Sequence, residues 1–274
     1  MTNYILIDGS YFIFYRFYAL QIWWRNARPD QPLDNPIECE EFVEKFCKTF
    51  TSKLHEIPKK LKHKKYKMLV ARDCSRSNIW RHQYIENYKG TRDNGEVFLG
   101  GPFFKMVYEN NLFEKSGIPF IFYNSCLEAD DCIALATKKL LDNELTSRIW
   151  IMASDMDYLQ LASDRVTIMN LKYKDLTTAK TSTKNADCDL FCKILTGDKS
   201  DNIPGVFKKC GLKTALKYYN DRELLEKQLK KNEGSKQIME RNELIINFDR
   251  IPATLINDFY DKYENDIIKQ ISEI

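Results

Sequence analysis

The chain has 274 residues, 43% of them hydrophobic, which is enough to bury a sizeable core in one large domain or in one domain with a smaller appendage. Its 42 Lys and Arg against 39 Asp and Glu leave a net charge of +3, so the total charge does not indicate a nucleic-acid partner. No run reaches the roughly 18 apolar residues of a membrane span, and the first residues lack an export-signal pattern.

The cysteines indicate the compartment. Eight are present without a CxxC pair, and only three histidines could share a zinc ion with them. We interpret them as reduced thiols, many of them packed as small apolar residues. The sequence therefore predicts an intracellular protein, located in the cytoplasm or, in a eukaryotic host, in the nucleus.

Short apolar runs rich in β-branched residues alternate with longer helix-spaced runs, which is typical of an α/β fold. The predicted strands are 4–7, 67–71, 119–123, 148–153 and 165–171. The predicted helices lie within 37–56, 102–116 and about 128–141. From about residue 185, short helices joined by turns indicate a helical subdomain, and 221–274 also favours helix. We therefore divide the chain into a core, 1–185, and a helical subdomain, 186–274.

Acidic residues follow four of the predicted strands. Asp8 ends the first strand, Asp73 follows the second, Glu128 follows the third after a short loop, and Asp155 and Asp157 follow the fourth. In a parallel sheet the carboxyl ends of the strands meet at one edge, where open α/β sheets bind their ligands. The sequence therefore predicts one acidic pocket at this edge.

The segment EADD places Glu128, Asp130 and Asp131 within four residues at the start of a predicted helix, where Glu128 and Asp131 share one face. Each acid alone could be an ordinary helix cap or turn residue. As a set, close carboxylates raise one another's pKa at a cost on the order of 1–2 kcal/mol per close pair, which a bound cation removes. Oxygen ligands without His or Cys favour Mg²⁺ or Mn²⁺ over zinc.

Two other uses of clustered acids are weaker interpretations. A calcium loop would need a D-x-D-x-D-G motif with a closing Glu, which is absent from the sequence. A glycosidase needs only two carboxyl groups. We therefore favour a divalent metal site.

Cations and aromatic rings alternate between Asp73 and Glu128. Positive charges for phosphates beside rings for bases suit a single-stranded or frayed nucleic acid, while a solvated loop with ordinary aromatic packing is the alternative. The run PKKLKHKKYK, 58–67, is a weaker indication of a DNA-contacting or targeting element. The alternating residues are Arg76, Trp80, Arg81, Tyr84, Tyr88, Lys89 and Arg92.

The segment LTGDKSDNIPGV adds Asp198 and Asp201 ahead of a Pro-Gly turn, and GLKTALKYY then opens a helix that carries Lys213 and Lys217. A turn with free N–H groups ahead of a basic helix binds phosphates without reading the base sequence. This segment therefore predicts a grip on the phosphate backbone, and its two acids fit the same metal hypothesis.

These blocks, in this order over residues 5 to about 216, resemble the 5′-nuclease family, which includes flap endonucleases, bacteriophage 5′-exonucleases and the 5′-nuclease domain of bacterial DNA polymerase I. YKGTR, EADD, SDMDYLQL and GDKSDNIPGV form the specific combination. The resemblance implies a PIN-like fold, with a mostly parallel central sheet flanked by helices. It also implies a helical arch at about 85–115 and a helix-hairpin-helix element at about 195–220.

The resemblance also implies roles for single residues. Lys89 and Arg92 would face the scissile phosphate, and Tyr88 would lie near the reacting nucleotide. The residues that would surround a first metal are Asp8, Asp73, Glu128, Asp130 and Asp131, and those for a second are Asp155, Asp157, Asp198 and Asp201. The residues expected to contact DNA are Arg16, Arg76, Arg81, Gly205, Gly211, Lys213 and Lys217.

The activity implied is structure-selective hydrolysis of DNA phosphodiester bonds in replication, repair or recombination. Two Mg²⁺ ions would serve it, with Mn²⁺ as a substitute and K⁺ as a further ion at the hairpin turn. The expected partners are DNA with 5′ flaps, nicks or ends, and RNA primers. We expect no membrane partner, and the C-terminal KQISEI contains no recognisable sliding-clamp motif.

Two features depart from the family pattern. The hairpin reads GVFKKCG where the family reads close to GVPGIG, and Lys105 and Lys115 are the only cations between Arg92 and Glu128. These differences leave the grip on duplex DNA, the K⁺ site and the threading of a free 5′ end open. A PIN-like ribonuclease, a junction-resolving nuclease and a non-catalytic DNA-binding protein remain alternatives.

Overall fold

A computed structural model describes residues 3–93, 98–143 and 146–272, with side chains for all of these except 92, 93, 271 and 272. In this part of the chain five strands form one all-parallel sheet, which confirms the five predicted strands and the parallel arrangement. The strands are β1 (Asn3–Asp8), β2 (Tyr66–Ala71), β3 (Ile121–Phe122), β4 (Arg148–Met152) and β5 (Val166–Met169).

The strand order is β3-β2-β1-β4-β5, so the chain builds the sheet outward from β1 in two directions. The order reverses between β1 and β4, and a crevice outside the carboxyl ends at such a point is where α/β sheets bind ligands. Asp8 ends β1 at this position, and Asp155 follows β4.

Helices cover both faces of the sheet. Side chains alternate along β1, so Ile5 and Ile7 face one layer while Tyr4 and Leu6 face the other. The helices that pack on the Ile5 and Ile7 side of the sheet are α1 (Gly9–Ala27), α2 (Glu40–Lys60), α3 (Gly101–Glu109) and α4 (Leu112–Lys115). The helices that pack on the Tyr4 and Leu6 side are α5 (Ala129–Asn143) and α10 (Ala253–Ser272).

The longest helix that the sequence did not predict is α1. Its sequence, GSYFIFYRFYALQIWWRNA, is apolar or aromatic on nearly every face, so no helical period marks it. Aromatic residues also favour strands. Burial of Phe12, Phe17 and Trp24 against α2 and α3 fixes the helix instead.

Four further helices form the smaller, mostly helical part: α6 (Ala186–Thr196), α7 (Leu212–Asn220), α8 (Arg222–Lys231) and α9 (Ser235–Ile246). Cys188, Leu195, Val206, Ala215 and Leu225 form their common core. The last helix of the chain, α10, instead returns to pack on α5 and the sheet.

Of the predicted arch at about 85–115, residues 94–97 lie outside the described residues. Residues 101–115 form α3 and α4, and Phe103, Val107 and Phe113 are completely buried against α1 and α2. This half of the predicted arch is therefore part of the core. In the described ranges no helix is long and apolar enough to span a bilayer.

Gly9 gives a test of the packing where β1 enters α1. A Cβ atom added there would lie 2.6 Å from the carbonyl oxygen of Ala71 and 2.8 Å from the hydroxyl oxygen of Tyr108. Because the Ala71 backbone and the Tyr108 hydroxyl would both have to shift, we expect Gly9→Ala to lower the free energy of unfolding by about 1–3 kcal/mol.

Gly101→Ala is the matched control, because a Cβ atom at Gly101 meets nothing within 4 Å. This variant should unfold at the wild-type urea concentration or slightly above it. Urea denaturation followed by circular dichroism compares the two variants, and equal midpoints for Gly9→Ala and wild type would contradict the packing described here.

Candidate metal centre

Carboxylates from several strand ends line one cavity of about 770 Å³ at the carboxyl edge of the sheet. Those that line it are Asp8 from β1, Asp73 after β2, Glu128 and Asp130 at the start of α5, and Asp155 after β4. Sequence reasoning placed these acids at one edge, and the structure brings them together there.

Among the described residues, two groups of three acids can each bring one oxygen per residue within 4.8 Å of the others. The first carboxylate group is Glu128, Asp130 and Asp131, and the second carboxylate group is Asp157, Asp198 and Asp201.

Asp8 and Asp73 each use carboxylate oxygens to fix a helix. Asp8 caps α1, because one oxygen accepts the N–H of Tyr11 at 2.9 Å while the other accepts the hydroxyl of Tyr158 at 3.1 Å. Asp73 accepts the N–H of Ala129, the first residue of α5, at 2.8 Å. Burial, with the nearby charge of Asp73, raises the pKa of Asp8 to about 7.

Glu128 is a buried carboxylate that cations keep ionised. The Arg81 guanidinium donates to it at 2.8 Å, the Lys89 ammonium forms a close ion pair with it, and the Tyr88 hydroxyl lies 3.1 Å away. Burial would raise the pKa of Glu128, but Lys89 and Arg81 outweigh it and hold that pKa below its usual value.

Arg81 lies beneath the first carboxylate group with only 3% of its surface exposed. It donates two hydrogen bonds to Asp131, at 2.7 and 2.8 Å, and one to the carbonyl of Ile245 in α9 at 2.7 Å. The expectation that Arg81 contacts DNA is therefore wrong, because its guanidinium is enclosed by protein and its charge neutralises buried acids.

Asp131 is completely buried, and its carboxylate is already occupied. Besides Arg81 it accepts the indole N–H of Trp80 at 2.9 Å and the N–H of Glu128 at 3.0 Å. With these donors around it, Asp131 orients Glu128 and Arg81. Burial and Asp131 together raise the pKa of the neighbouring Asp130 well above its usual value.

Tyr88 lies between the two carboxylate groups. Its ring is only 3% exposed, and its hydroxyl lies 3.1 Å from Glu128 and 3.3 Å from Asp201. The expected use of the Tyr88 and Trp80 rings for stacking on bases is therefore wrong, because protein encloses both rings, and the expectation that Tyr88 lies near the reacting nucleotide stays a prediction. Tyr84 remains exposed.

Lys89 connects the two carboxylate groups. Its backbone has φ +57°, a left-handed conformation that is strained for a lysine. Its N–H donates to the carbonyl of Asp201 at 3.1 Å, and its ammonium lies 3.7 Å from the Asp201 carboxylate while pairing with Glu128. Lys89 also lines the acidic cavity, as does the exposed Arg76.

The second carboxylate group encloses a cation that sequence reasoning missed. Lys193 of α6 lies 2.6 Å from Asp157 and 2.5 Å from Asp198. The pKa of Asp198 would rise with burial, but hydrogen bonds from Lys193 and Ser200 lower it to about 2. Burial and Asp155 raise the pKa of Asp157 to about 7, although Lys193 opposes them. The available signal was the place of Lys193 in the last turn of α6, directly before GDKSD.

Two other basic residues that the sequence predicted at the site, Arg16 and Arg92, are not seen beside the acidic cavity. Arg16 borders a separate cavity of about 120 Å³ together with Lys53 and Glu56, so it does not face the carboxylates. The side chain of Arg92 lies outside the described residues.

In the segment where we expect a helix-hairpin-helix element, the structure has α6, a turn at 197–211 and α7. A Cβ atom at Gly205 would lie 2.8 Å from the carbonyl oxygen of Thr196, so the turn needs a glycine there. Gly211 precedes α7, on which Lys213 and Lys217 are exposed. Lys209 in the turn has φ +58° and is exposed.

Three exposed aromatic rings at the mouth of the acidic cavity were also missed by sequence reasoning. Phe14 and Tyr18 of α1 have ring centroids 4.5 Å apart, and Phe98 stacks on Phe14 at 5.2 Å. The signal was the spacing of four residues between Phe14 and Tyr18, which places both rings on one helix face.

Known proteins resemble this chain in sequence. Residues 3–193 match the family model described as 5′-3′ exonuclease, N-terminal resolvase-like domain. A 5′-3′ exonuclease of Buchnera aphidicola from Schizaphis graminum is 28% identical over 221 residues, which cover 77% of this chain and 68% of that protein. The ribonuclease H of Enterobacteria phage T4 is 28% identical over 222 residues, covering 72% and 70%.

A protein of known structure has the same fold. The T5 D15 protein, crystallised with metal ions, aligns with a TM-score of 0.68 and 20% identity over 97% of this chain and 98% of that protein. The family resemblance read from the sequence and the PIN-like fold that it implied are both confirmed. The chain belongs to the 5′-3′ exonuclease family, whose N-terminal resolvase-like domain it contains.

Proposed function

We propose that this protein is a structure-selective, divalent-metal-dependent 5′-nuclease that hydrolyses phosphodiester bonds of DNA. The observation that carries the proposal is the convergence of Asp8, Asp73, Glu128, Asp130 and Asp155 on one cavity with Lys89 at its wall. Such a cavity combines ligands for a hard cation with a positive group for a phosphate.

The donor set fits Mg²⁺, with Mn²⁺ as a substitute, because every candidate ligand is a carboxylate oxygen. The raised pKa of Asp8, Asp130 and Asp157 indicates that these acids lack sufficient positive charge around them. A first ion would be surrounded by Asp8, Asp73, Glu128, Asp130 and Asp131, with Asp131 orienting Glu128, and a second by Asp155, Asp157, Asp198 and Asp201. The chemistry that bound Mg²⁺ supplies is activation of water and stabilisation of a leaving oxygen.

The chain's own residues bind and orient the reacting phosphate. Lys89 and Arg76 at the cavity wall would pair with phosphate oxygens, and we assign Arg92 to the same task. Lys89, which pairs with Glu128 and lines the cavity, would offer its ammonium to the phosphate. The products would carry a 5′-phosphate and a 3′-hydroxyl.

The contacts with DNA away from the reacting phosphate would recognise the shape of the DNA and not its base sequence. Phe14, Tyr18 and Phe98 offer exposed rings on which unpaired bases can stack beside the cavity. Lys213 and Lys217 on α7, with the close turn at Gly205, suit the backbone of a duplex. The exposed Lys208 and Lys209 add positive charge where the family resemblance implies K⁺. Flaps, nicks and ends combine such single-stranded and duplex parts.

Hydrolysis of RNA is the second candidate activity, because one relative is named ribonuclease H. RNA primers would then be substrates beside DNA flaps. A flap substrate whose 5′ segment is RNA, compared with its all-DNA counterpart, discriminates between the two activities.

Removing one carboxylate from each proposed metal site should abolish cleavage while preserving the fold. We expect Asp73→Asn and Asp155→Asn to cut a labelled 5′-flap duplex at least about 100-fold more slowly, since bound cations supply several kcal/mol of transition-state stabilisation. Binding of the same flap in EDTA should stay close to that of wild type.

Asp142→Asn is the matched control, because Asp142 is an exposed acid on α5 outside both carboxylate groups. It should cut at the wild-type rate. Cleavage by Asp73→Asn or Asp155→Asn at the wild-type rate would contradict the metal assignment.

Lys193 should compete with the second ion, because its ammonium lies between Asp157 and Asp198. Lys193→Met removes this charge at similar length, so we expect Mn²⁺ to bind roughly tenfold more tightly or better at the second carboxylate group. Isothermal titration calorimetry measures this, with Lys193→Arg as the charge-preserving control. Equal Mn²⁺ affinity in wild type and Lys193→Met would show that Lys193 does not compete with the ion.

A further inference from the structure

A small cavity of about 120 Å³ lies between α1, α2 and the turn that follows β5. We call it the Arg16 cavity. Its polar lining residues come from all three elements: Tyr15 and Arg16 from α1, Lys53 and Glu56 from α2, and Tyr173 from the turn. Segments that are far apart in the sequence therefore bring two cations and two phenol hydroxyls to one space.

Arg16 is the group in this cavity that lacks a partner. Its Nε atom is buried and has no hydrogen-bond acceptor, and no carboxylate of the described residues forms an ion pair with its guanidinium. Burial lowers the pKa of Arg16, as expected for a positive charge that has lost water without gaining an anion. A buried donor without an acceptor costs stability, so its presence indicates a missing acceptor.

Glu56 is the only carboxylate among the residues that line the Arg16 cavity, and lysines already pair with it. Lys53 lies 2.5 Å from its carboxylate, and Lys60 lies 3.8 Å away on the same helix. The hydrogen bond and the charge of Lys53, with the charge of Lys60, lower the pKa of Glu56. Together with Arg16, three cations therefore surround one carboxylate, and a further anion would be attracted.

Two tyrosines add hydrogen-bond donors at the wall of the cavity. Among the described residues, neither the Tyr15 nor the Tyr173 hydroxyl forms a hydrogen bond. Tyr173 has φ +58°, a strained conformation of the kind that clusters at ligand sites. Asn170 fixes its turn, because the Asn170 carbonyl accepts the N–H of Tyr173 at 2.8 Å and the Asn170 side chain accepts those of Lys172 and Lys174.

The size of the Arg16 cavity limits its ligand to a small group. At ~30 Å³ for each water, its volume equals that of roughly four waters, which suits one phosphate group. It is well below the ~300 Å³ at which sites for whole small molecules begin, so a complete nucleotide does not fit. A phosphate offers oxygens in several directions to donors from three elements, whereas a carboxylate offers only two oxygens.

We propose that the Arg16 cavity binds a phosphate group, whose charge Arg16 and Lys53 share and whose oxygens accept hydrogen bonds from Tyr15 and Tyr173. The group is either a phosphate of a bound DNA strand or free inorganic phosphate.

The Arg16 cavity lies beside the acidic cavity and is separate from it. Tyr11 lines the acidic cavity and Tyr15 lines the Arg16 cavity, with ring centroids 6.0 Å apart. At ~1.5 Å per residue, Arg16 lies roughly 12 Å along α1 from Asp8. A strand whose reacting phosphate lies at the carboxylates can therefore place a phosphate a few nucleotides away in the Arg16 cavity. Only this assignment to DNA rests on the proposed nuclease function.

Equilibrium dialysis against radiolabelled inorganic phosphate, in EDTA, tests binding of the free group. Arg16→Met removes the unpaired charge at similar length, and Arg25→Met is the matched control on an exposed arginine of the same helix. If the cavity binds free phosphate, wild type and control should bind it alike, and Arg16→Met at least tenfold more weakly. Tyr173→Phe keeps every charge and removes one donor, so it should weaken binding at least threefold. Acetate should not displace the phosphate.

Fluorescence polarisation of a labelled 5′-flap duplex, in the same EDTA buffer, distinguishes the two sources. If the strand supplies the phosphate, Arg16→Met should bind the flap about tenfold more weakly than Arg25→Met. Its slope of log K against log salt should be smaller by about 0.7–0.9, from one lost phosphate contact. If free phosphate is the ligand, the two variants should bind the flap equally.

The proposal is overturned if Arg16→Met matches Arg25→Met in binding both the phosphate and the flap, or if acetate displaces labelled phosphate as well as unlabelled phosphate does. Urea denaturation without phosphate should show Arg16→Met to be at least as stable as wild type, because the substitution removes an uncompensated charge. Both binding measurements are made without metal, so a lack of cleavage by wild type in Mg²⁺ would contradict the nuclease function alone.

Discussion

Repulsion between carboxylates at one edge of the sheet is the constraint on which the rest of the structure depends. The protein offsets part of it with its own cations: Arg81 pairs with Asp131, Lys89 pairs with Glu128, and the single charge of Lys193 is shared by Asp157 and Asp198. Within the described residues, no ion pair reaches Asp8, Asp73 or Asp130. The positive charge that these acids lack is what the proposed Mg²⁺ ions would supply.

The fold holds this unfavourable arrangement in place through packing on both sides of the sheet. Each helix that begins beside the cavity is fixed by an acid of the cavity itself, since Asp8 caps α1 and Asp73 accepts the first N–H of α5. Arg81 extends the connection to α9 through the carbonyl of Ile245. The site and the fold therefore share the same hydrogen bonds.

Sequence reasoning succeeded where a residue's role follows from its place along the chain. The five strands have clear apolar runs, and acids that follow parallel strands must meet at one edge. It failed where the role depends on which direction a side chain faces. The interleaved cations and rings at 76–92 suggested a surface for nucleic acid, but Arg81, Trp80 and Tyr88 turn inward to satisfy buried acids. Helix α1 lacked a period because nearly all of its faces are apolar, and the only signal for Lys193 was its place in the last turn of α6 before GDKSD, which does not identify Asp157 as its partner.

The most direct test of the central claim is the pH dependence of stability without metal. The pKa of Asp8 is raised from 3.8 to about 7, so between these values the folded state binds a proton that the unfolded state has lost, and stability falls as the pH rises. Urea denaturation in EDTA at pH 5 and pH 8 should show wild type losing stability relative to Asp8→Asn. Addition of Mg²⁺ at pH 8 should restore it in wild type more than in the variant. The same pH dependence in both proteins, with no stabilisation by Mg²⁺, would contradict the account.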